Sequence, residues 1–288
     1  MRGRVCDAVQ ARHPDGHRSA NDPFPWPSVT DRARLTRRGD RPTLAPVHPA
    51  PEPLPPVPSA GRRFVQERTV ELSDVTVDDR MRLDAVARWL QDIAMADVRA
   101  AGLHEPAWIV RRTLVRVARF PRYLERVAVT TFCWSMGRFA AERRTTLEGE
   151  HGSKVDTLTL WIRLDPSTGR PAPLTDAFRA CYEEVCAGRR TDHALRHPDP
   201  PASGRRAPWP LRATDFDLRG HVNNAACWAA VEEALARDGL LPRSSFEMEF
   251  RAAIPPGTQL ELLQPDGTGG ALWLVGGDQA FASAFCWV

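Results

Sequence analysis

A carboxylate and an imidazole, those of Asp217 and His221, lie four residues apart in the polar segment 215–224, Asp-Phe-Asp-Leu-Arg-Gly-His-Val-Asn-Asn. The residues that follow have helical spacing and predict a helix over Val222–Arg237, ended by Gly239. The start of a helix offers unpaired N–H groups and the positive end of its dipole. A carboxylate beside such donors is suited to attack on an activated carbonyl carbon. The segment therefore favours chemistry in which Asp217 activates water or attacks directly, while His221 orients and polarises.

Five further residues of this loop are candidates for holding a substrate and its oxyanion: Arg219, Gly220, Val222, Asn223 and Asn224. Gly220 permits a positive φ or a close approach of substrate to the backbone. The two Asn residues suit the N-cap of the helix. N–H groups at the helix start would stabilise an oxyanion, and the loss of one such donor typically costs roughly 10²–10³ in rate. Purely structural roles are the alternative, because Asp and Asn are also common in turns and caps. No metal or organic cofactor is expected.

Other charged residues are weaker candidates. Arg111 and Arg112 are adjacent in a predicted strand, so their side chains face opposite ways and at most one can line a given site. Glu232 and Glu233 are predicted to lie on the exposed face of the second long helix. A cation at Arg219 would lower the pKa of a nearby carboxyl group and keep it ionised.

Composition narrows the class of protein. The 288 residues suffice for one large or two small domains, and 42% hydrophobic residues with 9 Trp predict a substantial core. No apolar run predicts a membrane span or a signal peptide. The six Cys are scattered without a Cys-x-x-Cys pair, which argues against a zinc site and favours a reducing cytoplasm. The net charge of +3 comes from an Arg-rich N-terminal segment, so no nucleic-acid partner is predicted.

The order of predicted elements occurs twice. Residues 1–60 hold 12 of the 26 prolines and predict a disordered, Pro- and Arg-rich extension. Beyond it, strand, polar loop, long helix and about four strands follow one another in each half. The first set is Phe64–Leu72, helix Leu83–Val98, Trp108–Ala118, Arg126–Ser135, Arg138–Glu148 and Val155–Leu164. A short helix, Phe178–Ala187, and a polar linker, 188–208, come next. The second set is Trp209–Ala213, helix Val222–Arg237, Phe246–Arg251, Gln259–Leu263, Ala271–Gly276 and Phe281–Val288. A long helix followed by an antiparallel meander indicates an α+β fold.

The loop and the helix after it resemble the active-site loop and central helix of hotdog-fold thioesterases, and the wider pattern is similar to the acyl-ACP thioesterase family of bacterial type. The similar segments are Trp89-Leu-Gln-Asp92, Trp108-Ile-Val-Arg-Arg112, Thr130–Phe139, Leu160–Asp165, Asp217-x-x-x-His221-Val-Asn-Asn224 and Glu249-Phe-Arg251. The resemblance implies a tandem hotdog, in which each long central helix is wrapped by a curled antiparallel sheet. Residues 62–175 would form the N-terminal hotdog and shape the acyl pocket, 176–207 a connector, and 208–288 the catalytic C-terminal hotdog.

The resemblance implies hydrolysis of fatty acyl-ACP to free fatty acid and acyl carrier protein, as part of fatty acid biosynthesis and lipid metabolism. Asp217 and His221 would carry it out in the cytoplasm, in a monomer or a homodimer of tandem hotdogs with no membrane span. Departures from the plant pattern keep two alternatives open. Arg219 stands where the plant family has Asn, and 252–254 read Ala-Ala-Ile where it has Glu-Cys. The alternatives are an acyl-CoA or polyketide-type thioesterase and a non-catalytic acyl-binding protein.

Overall fold

The computed structural model describes residue 54 and residues 57–104, 107–241, 244–266 and 270–287. Within these ranges ten strands form one antiparallel sheet, accompanied by three α-helices. The strands are β1 (Phe64–Thr69), β2 (Trp108–Arg119), β3 (Arg126–Met136), β4 (Ala140–Gly149), β5 (Lys154–Arg163), β6 (Arg205–Pro208), β7 (Ser245–Phe250), β8 (Glu261–Gln264), β9 (Ala271–Gly276) and β10 (Gln279–Trp287). The helices are α1 (Leu83–Ala100), α2 (Asp176–Cys186) and α3 (Asn224–Arg237).

The sheet is built from two halves with the same connectivity. In each half a strand leads through a single-turn 3-10 helix, Leu72–Asp74 or Ala213–Asp215, into a long helix and four further strands. The strand order is β1-β3-β4-β5-β2-β7-β10-β9-β8-β6, so the second five strands repeat the first five in reverse order across the β2–β7 pair. A large antiparallel sheet with few helices agrees with the predicted α+β arrangement.

The two long helices form the core together with one face of this sheet. Leu83, Val86, Leu90 and Ile93 recur at helical spacing and are buried in α1, as the sequence pattern predicts. They share a single hydrophobic cluster with the buried side chains of α3, including Trp228. Full burial of one large apolar side chain contributes roughly 1.5–3 kcal/mol. This packing fixes the starts of α1 and α3 against each other.

The prediction of a strand over Trp209–Ala213 is wrong. The strand in this region is β6, which pairs with β8 at the edge of the sheet and lies within the predicted polar linker 188–208. Its side chains are mostly exposed, and its sequence is Arg-Arg-Ala-Pro. An edge strand held mainly by backbone pairing needs no hydrophobic alternation and tolerates Pro, so its sequence has no periodic signal. The other predicted strands agree with the observed ones to within a few residues.

A connector crosses the sheet face that lies opposite the helices. In β7 the buried Phe246 and Met248 belong to the helix-side core, so Glu247 and Glu249 point to the other face. There the His197 ring contacts Glu247 at 3.0 Å, and the backbone N–H of His197 donates to Glu249. These contacts pin the connector to the sheet.

Two sequence predictions concern domain limits. Most of the predicted extension 1–60 lies outside the described residues. The boundaries 62–175, 176–207 and 208–288 stay predictions. Among the described residues, no helix is both long enough and apolar enough to cross a membrane.

Candidate functional site

The loop before α3 is a closed turn. Phe216 and Val222 form an isolated antiparallel bridge at its base. The N–H of Asp217 donates to the carbonyl of His221 at 2.9 Å, and the N–H of Gly220 donates back to the carbonyl of Asp217 at 2.9 Å. Gly220 has φ +73°, a conformation that favours glycine. The turn is therefore a short loop that begins at Asp217 and ends at His221, and a backbone hydrogen bond between these two residues closes it.

Most of the predicted site residues line a single cavity of about 460 Å³. The cavity is bordered by Asp217, Arg219, His221, Val222, Asn223 and Asn224, and Gly220 is absent from its wall. The rest of the wall comes from α1, the first residues of β2, the end of β7 and the segment after it, together with Trp161 of β5, Cys227 of α3, and Phe281 and Ala282 of β10. The structure thus brings the candidate carboxylate, the imidazole and the helix start to one concave surface.

Asp217 is half-buried and His221 is exposed. Oδ1 of Asp217 accepts a hydrogen bond from the N–H of Arg219 at 2.8 Å, which is a turn-stabilising contact. Among the described residues, no donor contacts Oδ2 of Asp217, and no hydrogen bond joins the two side chains. Within the described part of the chain, the loop therefore holds one carboxylate oxygen of Asp217, and the other has no donor.

The backbone N–H groups at this helix start are largely used within the protein. The N–H groups of Val222 and Asn223 donate to backbone carbonyls at 3.0 and 2.8 Å. Asn223 is the N-cap of α3, and its side chain accepts from the N–H of Ala225. Only the N–H of Asn224 has no acceptor among the described residues. Of the predicted oxyanion donors, Asn224 is the one still available.

Gln91, on α1, reaches this helix start from the other half of the chain. Its Nε2 donates to Oδ1 of Asn223 at 3.0 Å and also to Oδ1 of Asn224. Gln91 itself lines the cavity. In the sequence Gln91 stands out only as part of the Trp89–Asp92 segment, and its place in the site is not predicted. No local signal distinguishes it, because a polar residue beside a buried Leu in an amphipathic helix is equally typical of an exposed position.

The first half of the chain contains the same loop with different chemistry. The N–H of Thr76 donates to the carbonyl of Arg80 at 2.9 Å, and the N–H of Asp79 donates to the carbonyl of Thr76 at 3.1 Å. Asp79 has a positive φ of 57°, as Gly220 does in the second loop. Thr76 thus occupies the place of Asp217, and Arg80 that of His221. The first loop has no carboxylate at the position where the second loop carries one.

Glu232, on α3, provides a hydrogen-bond acceptor at the start of α1. The equivalent N–H at the start of α3, that of Asn224, has no such acceptor among the described residues. Its carboxylate accepts from the N–H of Leu83 at 2.7 Å and pairs with Arg80 at 2.6 Å. The prediction that Glu232 is exposed is wrong, because it faces the partner helix in the core and is only 8% exposed. Burial raises the pKa of this carboxyl group, although Arg80 and the Leu83 N–H oppose that shift.

A smaller apolar recess of about 50 Å³ adjoins the cavity and shares four of its lining residues: Gln91, Met95, Trp108 and Trp161. Its far wall includes the guanidinium of Arg143, which pairs with the buried Asp97. The hydroxyl of Tyr182 donates to the same carboxylate at 2.6 Å. The recess therefore lies between α1 and the sheet, beside an ionic cluster in which both Arg62 and Arg143 pair with Asp97.

Two other groups bear on the possible chemistry. Cys227 lines the cavity, but burial, with a further contribution from Asp215, raises the pKa of its thiol to about 12. His197, Glu247 and Glu249 are buried and close enough together to share a metal ion. Their atoms already take part in the hydrogen bonds that pin the connector, so they fit a structural role.

Comparison with known proteins relates this architecture to thioesterases. Residues 61–182 match the family model described as the acyl-ACP thioesterase N-terminal domain. An uncharacterised protein of Mycobacterium tuberculosis is 29% identical over 209 residues, which cover 71% of this chain and 83% of that protein. A putative oleoyl thioesterase of Lactobacillus plantarum superposes with a TM-score of 0.66 at 16% identity, over 79% of this chain and 96% of its own. The 12:0-ACP thioesterase of Umbellularia californica superposes with a TM-score of 0.63 at 18% identity, over 78% and 96%.

These comparisons confirm the predicted resemblance and a hotdog-like fold. The matched segment ends before the loop that carries Asp217 and His221. The roles of these two residues therefore stay predictions that depend on the geometry described above.

Proposed function

We propose that this chain, a thioester hydrolase whose residues 61–182 match the acyl-ACP thioesterase N-terminal domain, hydrolyses fatty acyl-ACP to free fatty acid and acyl carrier protein. One contrast between the two helix starts carries the proposal. The N–H of Leu83 is occupied by the carboxylate of Glu232. The equivalent N–H of Asn224 has no protein acceptor among the described residues, and Asn224 lines the cavity together with Asp217.

In the proposed reaction, the carbonyl oxygen of the thioester accepts the N–H of Asn224. The negative charge that develops on this oxygen would lie at the start of α3, just as the Glu232 carboxylate lies at the start of α1. The positive end of the α3 dipole stabilises it. The unpartnered oxygen of Asp217 accepts a proton from water while the water oxygen bonds to the carbonyl carbon, and collapse of the tetrahedral intermediate then breaks the C–S bond. Alternatively, Asp217 attacks the carbonyl carbon, the thiolate leaves, and water hydrolyses the resulting anhydride. His221, at the other end of the loop, orients the thioester or the water and donates a proton to the leaving thiolate.

The acyl chain is proposed to enter the apolar recess. Trp108 and Trp161 line both the cavity and the recess, so an apolar chain in the recess continues directly to the carbonyl position. Met95 and Ala94 of α1 offer further apolar contact. The pantetheine arm of the carrier protein would extend from the cavity to solvent beside the exposed Leu218, at the tip of the loop.

The duplicated connectivity supports a tandem hotdog as the finer description of the fold. In this proposal residues 62–175 supply the recess and Gln91, 176–207 connect, and 208–288 supply Asp217, His221 and the α3 start. Fusion of the halves through β2 and β7 gives each helix start a partner helix within one chain. Monomer or homodimer, and a cytoplasmic location, stay predictions.

The test is hydrolysis of dodecanoyl-ACP by purified wild-type protein, Asp217→Asn and Thr76→Asn. The amide introduced by Asp217→Asn retains an acceptor for the N–H of Arg219, so the loop should fold, but it cannot act as a base. We expect kcat to fall by about 10²–10⁴. Thr76→Asn makes a matched change in the equivalent loop and should leave kcat within about twofold. Equal rates for wild type and Asp217→Asn would refute the assignment of Asp217.

The carrier is tested separately by comparing kcat/KM on dodecanoyl-ACP and dodecanoyl-CoA. The proposal expects the carrier protein substrate to be preferred. A preference for the CoA ester would instead support the acyl-CoA alternative, with the same catalytic residues. Binding of the acyl group without hydrolysis of either ester would support the acyl-binding alternative, which the alanines at 252 and 253 in the cavity wall favour.

A further inference from the structure

Arg111 is displaced from the strand ladder into the cavity wall. The pairing of β2 with β5 shifts between Val110 and Arg112, and the pairing of β2 with β7 begins only at Arg112. Arg111 is the extra residue at this irregularity, and it lines the cavity together with Asp217. A bulge of this kind re-aims a side chain that regular alternation would send elsewhere.

Arg111 has no carboxylate partner among the described residues. Its Nη1 donates to the backbone carbonyls of Phe250 and Arg251 at 3.0 and 3.3 Å. Its Nε is buried without an acceptor, and no acceptor among the described residues contacts Nη2. The neighbouring Arg112 lies 3.3 Å from Glu142, and Arg251 lies 2.8 Å from Asp199. Arg111 is thus a half-buried cation without a carboxylate partner among the described residues, whereas the nearby Arg112 and Arg251 each have one.

The environment of Arg111 is unfavourable for its own charge. Burial lowers the pKa of its guanidinium, Arg251 lowers it further, and Glu249 only partly offsets them. Besides Arg111, the titratable side chains of the cavity wall are Arg219, Arg251, Asp217, His221 and Cys227, and Arg251 is already paired with Asp199. An anion bound beside Arg111 would offset the burial of its charge.

We propose that Arg111 binds the carboxylate of a free fatty acid whose chain lies in the adjoining apolar recess. The choice of ligand rests on the proposed function, because a thioester is uncharged and its hydrolysis product is not. Val110, next to Arg111, pairs with Trp161, which lines both the recess and the cavity. A carboxylate at Arg111 is therefore next to the position of an acyl chain, and a guanidinium with open donors suits it. The product would be retained and would inhibit the enzyme.

The test is isothermal titration calorimetry with dodecanoate and with dodecanol, which shares the chain but lacks the charge. Wild-type protein should bind dodecanoate about tenfold or more tightly than dodecanol, because hydrogen bonds to charged groups are worth that factor. Arg111→Gln should remove the difference by weakening dodecanoate alone, and Arg111→Lys should retain part of it. Arg119→Gln is the matched control, since Arg119 is exposed at the far end of β2.

Equal affinity of wild type for the acid and the alcohol would overturn the inference without any variant, and would leave the proposed hydrolysis standing. Binding of neither ligand would overturn the inference and the acyl cavity together. A third arm compares 4′-phosphopantetheine with pantetheine. An Arg111-dependent preference for the phosphate, without an acid–alcohol difference, would overturn the inference and assign Arg111 to the carrier's arm. Thermal unfolding of each variant separates lost binding from lost fold.

Discussion

The carboxylate of Glu232 lies 2.7 Å from the backbone nitrogen of Leu83, the first residue of α1. Gln91 has the equivalent position on α1 and reaches the start of α3, where it contacts the side chains of Asn223 and Asn224. One helix start therefore receives an acceptor that satisfies its N–H, whereas the other receives a donor that satisfies two Asn oxygens. The duplicated scaffold uses opposite hydrogen-bonding polarity in its two halves, and in the described part of the chain the N–H of Asn224 is left without an acceptor.

Replacing Glu232 should affect stability more than activity. Glu232→Ala removes the acceptor of the Leu83 N–H and leaves Arg80 without its partner. Breaking a buried pair in this way costs about 3–5 kcal/mol. Glu232→Gln keeps an acceptor for the N–H and should cost less. Urea unfolding measures both values, and Glu233→Gln, at the exposed neighbour, should stay within about 0.5 kcal/mol of wild type. An unchanged free energy of unfolding in Glu232→Ala would show that the contact is unimportant.

Replacing Gln91 should lower kcat with little change in KM. In Gln91→Glu a carboxylate would face the two Asn oxygens, so the amide groups must turn and the cap on Ala225 is lost. We expect a loss of stability of about 1–3 kcal/mol and a fall in kcat of about tenfold. Gln91→Met keeps the shape without the hydrogen bonds and should lower kcat with a smaller loss of stability. Steady-state kinetics and thermal unfolding measure the two effects.

The matched control for Gln91 is Asp92→Asn, which alters the adjacent exposed residue, bonded to Arg68. It should behave as wild type in both assays. If Gln91→Met instead raised KM and left kcat unchanged, Gln91 would act by binding the acyl chain and not by positioning the start of α3.

Local features of the site could be predicted from the sequence, and features that depend on the partner helix could not. The turn at Gly220 and the cap at Asn223 follow from residues within one short segment, so their types and spacing predict them. Glu232 and Gln91 act across the helix pair, and neither position differs locally from a surface helical residue. The edge strand β6 was missed for a related reason, because its pairing partner β8 lies far along the chain. The bulge at Arg111 likewise depends on two neighbouring strands at once.

The thiol of Cys227 should not act as a nucleophile, although it lines the cavity. Burial, helped by Asp215, raises its pKa to about 12, so a negligible fraction is thiolate at pH 8. Cys227→Ala should keep kcat within about threefold of wild type on dodecanoyl-ACP. Incubation with iodoacetamide at pH 8 should leave both proteins active. Rapid inactivation of wild type that Cys227→Ala escapes would contradict this expectation.

The outer-face cluster should make stability depend on pH in the acid range. Burial acts to raise the pKa of Glu247, but the hydrogen bond and charge of His197, with Arg112 and Arg196, outweigh it and lower the pKa below 4.5. A carboxyl group whose pKa is lower in the folded than in the unfolded protein stabilises the fold above the unfolded value, and this stabilisation is lost as pH falls through the folded value. The contribution of Glu247 should therefore be complete at pH 6 and decline below about pH 4.5.

The measurement for Glu247 is urea unfolding of wild type and Glu247→Gln at intervals from pH 6 to pH 3. The difference in free energy of unfolding between them should be largest at pH 6 and shrink as the pH falls, because Gln cannot be protonated in this range. Glu148→Gln, at an exposed carboxylate paired with Lys154, should differ little from wild type at every pH. A difference for Glu247→Gln that stays constant or grows toward pH 3 would mean that the cluster does not favour the ionised carboxylate, and the connector would then be held by its other contacts alone.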